Sequence, residues 1–259
     1  MPPAALLINE EHEIATVTLN RPEQRNALDA DLIQQLTAAY RTLAGRADLR
    51  GVVLQGEGAI FCGGADINYM RAALDLGEQH NYEDALRLSD LFAAIDDCPL
   101  ATLVKVQGAA LGGGAGLVAV NDIAIAADDA LFGFTEAKLG IVPAVISPFV
   151  LRKIGQSHAR ALFMTAERFH AERALRVGLV HEVVPYPQLD ATLDGKLREL
   201  RTSAPSAVRL AKQIARSVGA MPAGQAREWT ARRIAEQRAS AQGQEGLRAF
   251  LEKRRPTWQ

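Results

Sequence analysis

Two glycine-rich runs occupy positions where backbone amides could do chemistry. The first is residues 61–66 (FCGGAD), and the second runs from Gly108 to Gly116. Each follows a predicted strand and precedes a predicted helix, whose first N–H groups lack intrahelical acceptors and carry partial positive charge. Glycine permits positive φ angles and close approach. Two such turns facing each other would aim two N–H donors at one oxyanion. The alternative is that these glycines only allow tight strand–helix packing.

Other catalytic signatures do not occur. Neither glycine cluster matches a dinucleotide fingerprint, and the sequence holds no P-loop, no G-x-S-x-G elbow and no H-E-x-x-H motif. Cys62 and Cys98 form neither a disulfide framework nor a metal-type spacing. Five histidines are scattered without ligand spacing: His12, His80, His158, His170 and His181. The sequence therefore predicts no metal, flavin or nicotinamide cofactor.

Strands and helices alternate up to about Pro187, and the pattern is helical beyond it, which predicts an α/β protein. Asp29 is a candidate N-cap for a helix through about Leu43. An apolar helix is expected at residues 117–120, and a helical stripe includes Leu210, Ile214 and Val218. Strands are predicted at residues 14–19, 51–56, 101–106, 123–127 and 131–134. The shift in composition divides the chain into a core, residues 1–195, and a helical region, residues 196–259.

Composition is that of an ordinary globular protein, with 48% hydrophobic and 23% charged residues among 259. The first eight residues lack a basic region and a long apolar core, so no signal peptide is predicted. No apolar run reaches the roughly 20 residues of a bilayer span. We therefore expect a cytoplasmic protein without membrane partners.

Charge is unevenly distributed along the chain. The net charge is −1, yet from Arg201 onward 12 Lys and Arg face four Asp and Glu, a net of +8. Two compatible interpretations are that these cations form a solvated helical tail and that some of them bind phosphate groups.

Several ordered segments carry a family resemblance. They are NAL at 26–28, FCGGADI at 61–67, GAALGGG at 108–114, NDIAIA at 121–126, FGFTEAKLGIVP at 132–143, TAERF at 165–169, LVHEVV at 179–184 and FLEKRRP at 250–256. In order and spacing they resemble the enoyl-CoA hydratase/isomerase (crotonase) family. The resemblance spans nearly the whole chain.

The resemblance implies a crotonase-type spiral of repeated β-β-α turns with a C-terminal helical region that forms trimers or hexamers. It implies an oxyanion hole from the backbone amides of Ala65 and Gly113, and Glu136 as the acid–base group. Its acyl-CoA substrate brings the CoA, so no separate cofactor is needed. The implied substrate- and CoA-binding residues are Arg25, Ala27, Ala65, Asp66, Ile67, Gly112, Gly113 and Gly116. C-terminal Lys and Arg side chains are expected near the CoA nucleotide.

Gly116 departs from the family pattern. Two-glutamate hydratases of the family carry a first glutamate at this position, and glycine has no carboxylate. Glu136 then remains as the single base, and its apolar neighbours Phe134, Ile141 and Val142 should raise its pKa by desolvation. The alternative for Glu136 is a surface ion pair with Lys138. A second departure, PAVISP at 143–148, replaces glycines common in hydratases and should reshape the acyl pocket.

These features favour a hydratase, a lyase that adds water to an enoyl-CoA. Resemblance at Gly116 and residues 134–148 indicates branched or carboxylated substrates such as 3-methylglutaconyl-CoA or carboxygeranoyl-CoA. One alternative is a Δ3-Δ2 enoyl-CoA isomerase, because shuttling a proton needs only one base. Hydrolysis or decarboxylation is a further family chemistry. A non-catalytic CoA- or RNA-binding protein belongs to another class, although nucleic acid is not an expected partner because RNA binding needs a dense basic face.

Overall fold

A computed structural model describes residues 3–259 of the chain. The chain forms two compact units. The first contains residues 3–98 and Thr102–Leu193, and the second contains Pro99–Ala101 and Asp194–Gln259. The N-terminal residues used to judge a signal peptide lie partly outside the described range. Within that range, no helix combines the length and apolar character that crossing a bilayer requires.

Two sheets contain the nine strands of the described chain. The strands are β1 Leu6–Glu11, β2 Ile14–Leu19, β3 Gly51–Gly56, β4 Ala101–Val106, β5 Ala109–Leu111, β6 Ile123–Ala127, β7 Leu131–Gly133, β8 Arg168–His170 and β9 Glu182–Val184. The larger sheet has the order β1-β2-β3-β4-β6-β9, and the smaller has the order β5-β7-β8. β2 pairs parallel with β3, and β6 pairs parallel with β4 and β9. β1 and β8 pair antiparallel with their neighbours β2 and β7.

Ten α-helices complete the described chain. They are α1 Ala30–Ala44, α2 Ile67–Leu74, α3 Glu78–Asp96, α4 Gly113–Val120, α5 Ser147–Thr165, α6 Ala171–Arg176, α7 Leu189–Thr202, α8 Pro205–Ser217, α9 Ala223–Ala239 and α10 Ala241–Leu251. α1 to α6 belong to the first unit, and α8 to α10 belong to the second. α7 begins in the first unit and continues into the second.

Local sequence accounts for several of these boundaries. The carboxylate of Asp29 accepts the amide of Leu32 at 2.9 Å, which caps α1 as predicted. Pro205 is at the first position of α8 and Pro222 is the N-cap of α9, where a missing N–H costs nothing. The predicted apolar stripe is half-buried rather than buried, at Leu210 and Ile214 in α8 and at Val218, the residue that follows the helix.

The glycine cluster folds differently from the prediction. α4 begins at Gly113, four residues before the expected start at residue 117, and β5 lies inside the cluster. Gly114 is helical while it presses on the preceding turn, since a Cβ there would lie 2.5 Å from the carbonyl oxygen of Cys62. Propensity alone disfavours a glycine in a helix. Tertiary packing outweighs that preference, because only a residue without a side chain can lie this close to Cys62.

Candidate functional site

A cavity of about 850 Å³, including the solvent in its mouth, opens in the first unit. Both glycine turns line it, through Gly63 to Ala65 and through Gly112 and Gly113. Glu136 and the segment from Leu139 to Ile146 form other parts of its wall. The structure therefore brings the two predicted amides and the predicted base to one cavity.

Leu28 holds the first glycine turn in place. Its amide donates to Gly64 O at 2.8 Å, and its carbonyl accepts the amide of Asp66 at 2.9 Å. These bonds make a parallel bridge opposite Ala65 and leave the amide of Ala65 between them. Among residues 3–259, no acceptor receives a hydrogen bond from the Ala65 amide. That donor is available to a ligand.

The second amide belongs to the first residue of α4. Gly112 precedes the helix with φ +50° and ψ −118°, and its own amide donates to Gly133 O at 2.8 Å. Gly113 then starts the helix, so its amide has no intrahelical acceptor. In the described part of the chain, the Gly113 amide donates no hydrogen bond to another residue. Leu28 also reaches this turn, because its Cδ1 atom is 3.1 Å from where a Cβ of Gly113 would lie.

Main-chain contacts join the two turns. Cys62 donates its amide to Ala109 O at 3.0 Å and accepts the amide of Leu111 at 3.1 Å. Gly64 has φ +100°, and a Cβ there would lie 2.9 Å from Leu111 O. The spacing between the turns is therefore set by backbone atoms, and glycine is required for the approach.

Glu136 follows the last residue of β7 by three positions and is the first residue of a 3₁₀ turn over Glu136–Leu139. A Cβ built on Gly112 would be 3.5 Å from Glu136 Oε1, so this carboxyl group lies beside the second glycine turn. Glu136 Oε2 is buried and has no hydrogen-bond partner. Burial raises the pKa of Glu136 above its usual range, while a hydrogen bond from its own backbone amide opposes the shift. Among the described residues, no ion pair joins it to Lys138.

The apolar setting expected for Glu136 is only partly present. Phe134 is fully buried, but the side chains of Ile141 and Val142 are largely exposed at the wall of the cavity. The pKa shift therefore has the predicted direction, although two of the three expected neighbours face solvent. Burial of the carboxyl beside the glycine turn supplies the desolvation.

Tyr69 is a cavity residue that the sequence did not single out. It lies on α2 and lines the cavity, and its hydroxyl donates a hydrogen bond to Asp84 on α3. Asp84 also pairs with Arg87 at 2.8 Å. Burial, together with the neighbouring Asp84 carboxylate, raises the pKa of Tyr69, so the phenol stays protonated at neutral pH. Glu136 carries the one carboxyl group among the described residues that line the cavity.

Five predicted binding residues lie outside the lining. Arg25 is exposed with φ +55° and its carbonyl accepts the amide of Gly63, while Ile67 is exposed at the start of α2. Ala27 is buried and its carbonyl accepts Arg21 Nη1 at 3.0 Å. Asp66 caps α2 and contacts Arg21 at 3.5 Å. Gly116 is buried in α4. Arg25 and Ile67 flank the first turn, whereas Ala27, Asp66 and Gly116 have structural contacts.

No group of three or more His, Cys, Asp or Glu side chains in residues 3–259 could hold a metal ion. Besides Tyr69, sequence reasoning missed five other cavity residues, namely Leu28, Ile33, Met70, Leu88 and Thr135. Leu28 lies within the NAL segment and directly before Asp29, so the motif itself could have indicated it. Nothing in the pattern around Tyr69 distinguishes it from an exposed helical tyrosine.

Replacing Gly64 with alanine should destabilise the first glycine turn. A side chain at φ +100° is strained, and its Cβ would lie 2.9 Å from Leu111 O. We expect a loss on the order of 1–3 kcal/mol in the free energy of unfolding, measured by urea denaturation. Gly45→Ala is the matched control, because its Cβ would meet ordinary contact at 3.6 Å; its change should stay within about 0.5 kcal/mol. Equal stability of the two variants would contradict the tight approach.

Glu136→Gln should stabilise the fold at neutral pH. The folded pKa of Glu136 lies above its unfolded value, so the folded state binds more protons between the two values and stability falls as pH rises through that window. Above the window the wild type carries a buried charge that glutamine lacks. Thermal unfolding should therefore show a higher Tm for Glu136→Gln at neutral pH, and the difference should shrink as pH falls toward 4.5, the usual carboxyl value.

Glu167→Gln is the control of opposite sign. The Arg173 guanidinium holds the pKa of Glu167 below its usual range, so ionised Glu167 is favoured in the folded state. That variant should gain no stability at neutral pH. A Glu136→Gln variant that melts below the wild type at neutral pH would show that the ionised carboxylate is stabilising.

Comparison with known proteins shows a family match over nearly the whole chain. The family model described as "Enoyl-CoA hydratase/isomerase" matches residues 9–259. The structure of AtuE from Pseudomonas aeruginosa is similar, with a TM-score of 0.96 and 38% identity over 98% of this chain and 99% of that one. An enoyl-CoA hydratase from Shewanella pealeana superposes with a TM-score of 0.94 and 36% identity, covering 98% of this chain and 96% of its own.

A third similar structure is an enoyl-CoA hydratase from Mycobacterium smegmatis, with a TM-score of 0.94, 30% identity and 99% of both chains covered. These matches confirm the predicted crotonase fold, with its mixed α/β sheets and C-terminal helices. The chain therefore belongs to the enoyl-CoA hydratase/isomerase family.

Proposed function

We propose that this protein is an enoyl-CoA hydratase, a lyase that adds water across the 2,3 double bond of an acyl-CoA thioester. One observation carries the proposal. Glu136 has a buried oxygen without a partner, in a cavity where the amides of Ala65 and Gly113 are free to donate. Similar proteins from Shewanella pealeana and Mycobacterium smegmatis carry the name enoyl-CoA hydratase, which supports the same activity.

The proposed reaction uses one carboxyl group twice. The Glu136 carboxylate accepts a proton from water as the water oxygen bonds to C3 of the substrate. The electron pair of the double bond then moves toward the thioester, and the two amides hold the resulting enolate oxygen. Protonated Glu136 returns the proton to C2, which completes the addition of one water. A raised pKa suits this exchange, because the group must both take and give a proton.

Branched acyl groups are the proposed substrate class, with carboxylated ones as the second possibility. The lining combines short and branched apolar side chains from residues 141–146 with two hydroxyl groups, on Tyr69 and Thr135. It contains no Lys, Arg or His among the described residues, which favours a neutral branched chain within one protomer. Both 3-methylcrotonyl-CoA and 3-methylglutaconyl-CoA belong in the assay for this reason.

Isomerisation of a 3-enoyl-CoA is the second candidate function. Moving a double bond needs one base that carries a proton between C2 and C4, and Glu136 is the one carboxyl group in the described lining. The two functions share the enolate and differ in whether water reaches C3.

A panel of 2-enoyl and 3-enoyl thioesters separates the two functions. Wild-type protein should consume crotonyl-CoA, and this consumption is measured as the loss of enoyl-thioester absorbance. Glu136→Gln should lower the rate by about 10²–10⁴-fold, the scale for removing a general acid–base group. Glu172→Gln, a largely exposed residue paired with Arg176, should keep wild-type rates. Turnover of 3-enoyl-CoA alone would overturn the hydratase, and a fully active Glu136→Gln variant would place the chemistry elsewhere.

The pH profile provides an independent readout of Glu136. The base must be ionised to accept a proton from water, so kcat/KM should fall on the acid side with an apparent pKa above 4.5, the usual carboxyl value. In Glu136→Gln the residual activity should lack this acid limb.

Assembly into a trimer or hexamer is also proposed, from the family resemblance and from the second unit. Its described helices expose large apolar side chains, namely Ile234, Leu247, Phe250 and Leu251. Leu247, Phe250 and Leu251 are at positions i, i+3 and i+4 of α10 and so share one face of that helix. A contiguous exposed apolar face of this kind is typical of a protein–protein contact.

Light scattering on a size-exclusion column tests the assembly. We expect the mass of three or six chains for wild type and a smaller particle for Phe250→Glu. Gln79→Glu, an exposed change on α3, should leave the mass unchanged. A monomeric wild type would contradict the proposal.

A further inference from the structure

Gly116 and Ile146 contact each other between α4 and the start of α5. A Cβ on Gly116 would lie 2.4 Å from Ile146 Cγ2 and 3.1 Å from Ile146 Cβ. It would also lie 3.0 Å from Cζ of Phe92 on α3. Contacts below 3.0 Å are not tolerated between carbon atoms, so no side chain fits at position 116 while Ile146 stands where it does.

Ile146 has little freedom to move away. It is β-branched, which restricts its χ1 rotamers, and only 2% of it is exposed. Phe92 is fully buried behind the pair and packs against Phe149 of α5, with ring centroids 5.7 Å apart. The side chain of Ile146 therefore fills a fixed space between α3, α4 and α5.

The same side chain forms part of the wall of the cavity. Ile146 lines the same cavity as Glu136, and its neighbours Ala144 and Val145 also line it. The two departures from the family pattern, glycine at 116 and a bulky 143–148 segment, thus meet at one contact. The volume that a residue-116 side chain would occupy is taken by Ile146.

We propose that Ile146 and Gly116 form a complementary pair that sets the width of the acyl pocket, with Ile146 as a specificity-determining residue. This rests on the proposed function. Ile146 closes the space toward Gly116 and Phe92, so the pocket accepts short or compactly branched acyl groups and rejects long straight chains. Shortening Ile146 opens that space to additional methylene groups.

Four proteins test the pair: wild type, Ile146→Ala, Gly116→Ala and the double variant. For each we would measure kcat/KM for crotonyl-CoA and 2-decenoyl-CoA, and the Kd of the unreactive ligands butyryl-CoA and decanoyl-CoA by calorimetry. Ile146→Ala should shift both ratios toward the ten-carbon chain by about tenfold or more, the scale of methylene discrimination in an apolar pocket. Leu151→Ala, on the same helix but outside the lining, should leave both ratios within about twofold of wild type.

Thermal unfolding tests the contact without any substrate. Gly116→Ala should lower the Tm because its methyl group collides with Ile146. The double variant should melt above Gly116→Ala, because alanine at 146 lacks the Cγ2 atom that makes the shortest contact.

Two outcomes would overturn the inference. One is an Ile146→Ala protein whose Kd ratio stays within twofold of wild type. The other is a double variant that melts no higher than Gly116→Ala. Failure of the proposed function looks different: no enoyl-CoA would then be turned over by wild type, while the Kd ratios and the melting temperatures would still report on the pair.

Discussion

The catalytic geometry proposed for this protein depends on a junction between two pieces of backbone. Cys62 exchanges two hydrogen bonds with the strand before the second glycine turn, and Gly64 packs against Leu111 at a distance that excludes a side chain. This junction brings two amides that donate to no other described residue to the lining of one cavity. Donors fixed in this way need no reorganisation when negative charge develops on a bound oxygen. Side-chain changes elsewhere in the pocket can then alter the substrate while the oxyanion site remains.

The carboxyl group beside this junction lies in an environment that destabilises its ionised form. Glu136 has one buried oxygen with no partner, and burial raises its pKa. An ion pair would stabilise the fold but would lower that pKa and occupy the oxygen. Tyr69 shows the opposite arrangement, because its hydroxyl is satisfied by Asp84 and remains protonated. Of the two ionisable groups in the described lining, Glu136 is therefore the one poised to move a proton, and its reactivity comes at the expense of stability.

The glycine at position 116 and the isoleucine at position 146 are best understood as one change. A glutamate at position 116 would need space for its side chain, and here that space holds Ile146 and the buried ring of Phe92. Ile146 also lines the cavity, so the side chain that excludes a carboxylate at position 116 adds an apolar surface to the proposed acyl pocket. Hydration and isomerisation share an enolate, so the shape of this wall and the access of water to C3 determine which reaction follows.

Local sequence was sufficient for much of the fold. The capped helix beginning after Asp29, the buried strands at 14–19 and 51–56 and the proline-initiated helices could be predicted because hydrophobic periodicity and capping act over a few residues. Glycine content and family motifs also indicated both turns and Glu136. Only the tertiary structure decided that α4 starts at Gly113, that Tyr69 lines the cavity and that Ile146 covers Gly116. Each of these depends on contacts between residues far apart in the chain, and such contacts leave no periodic or local signal.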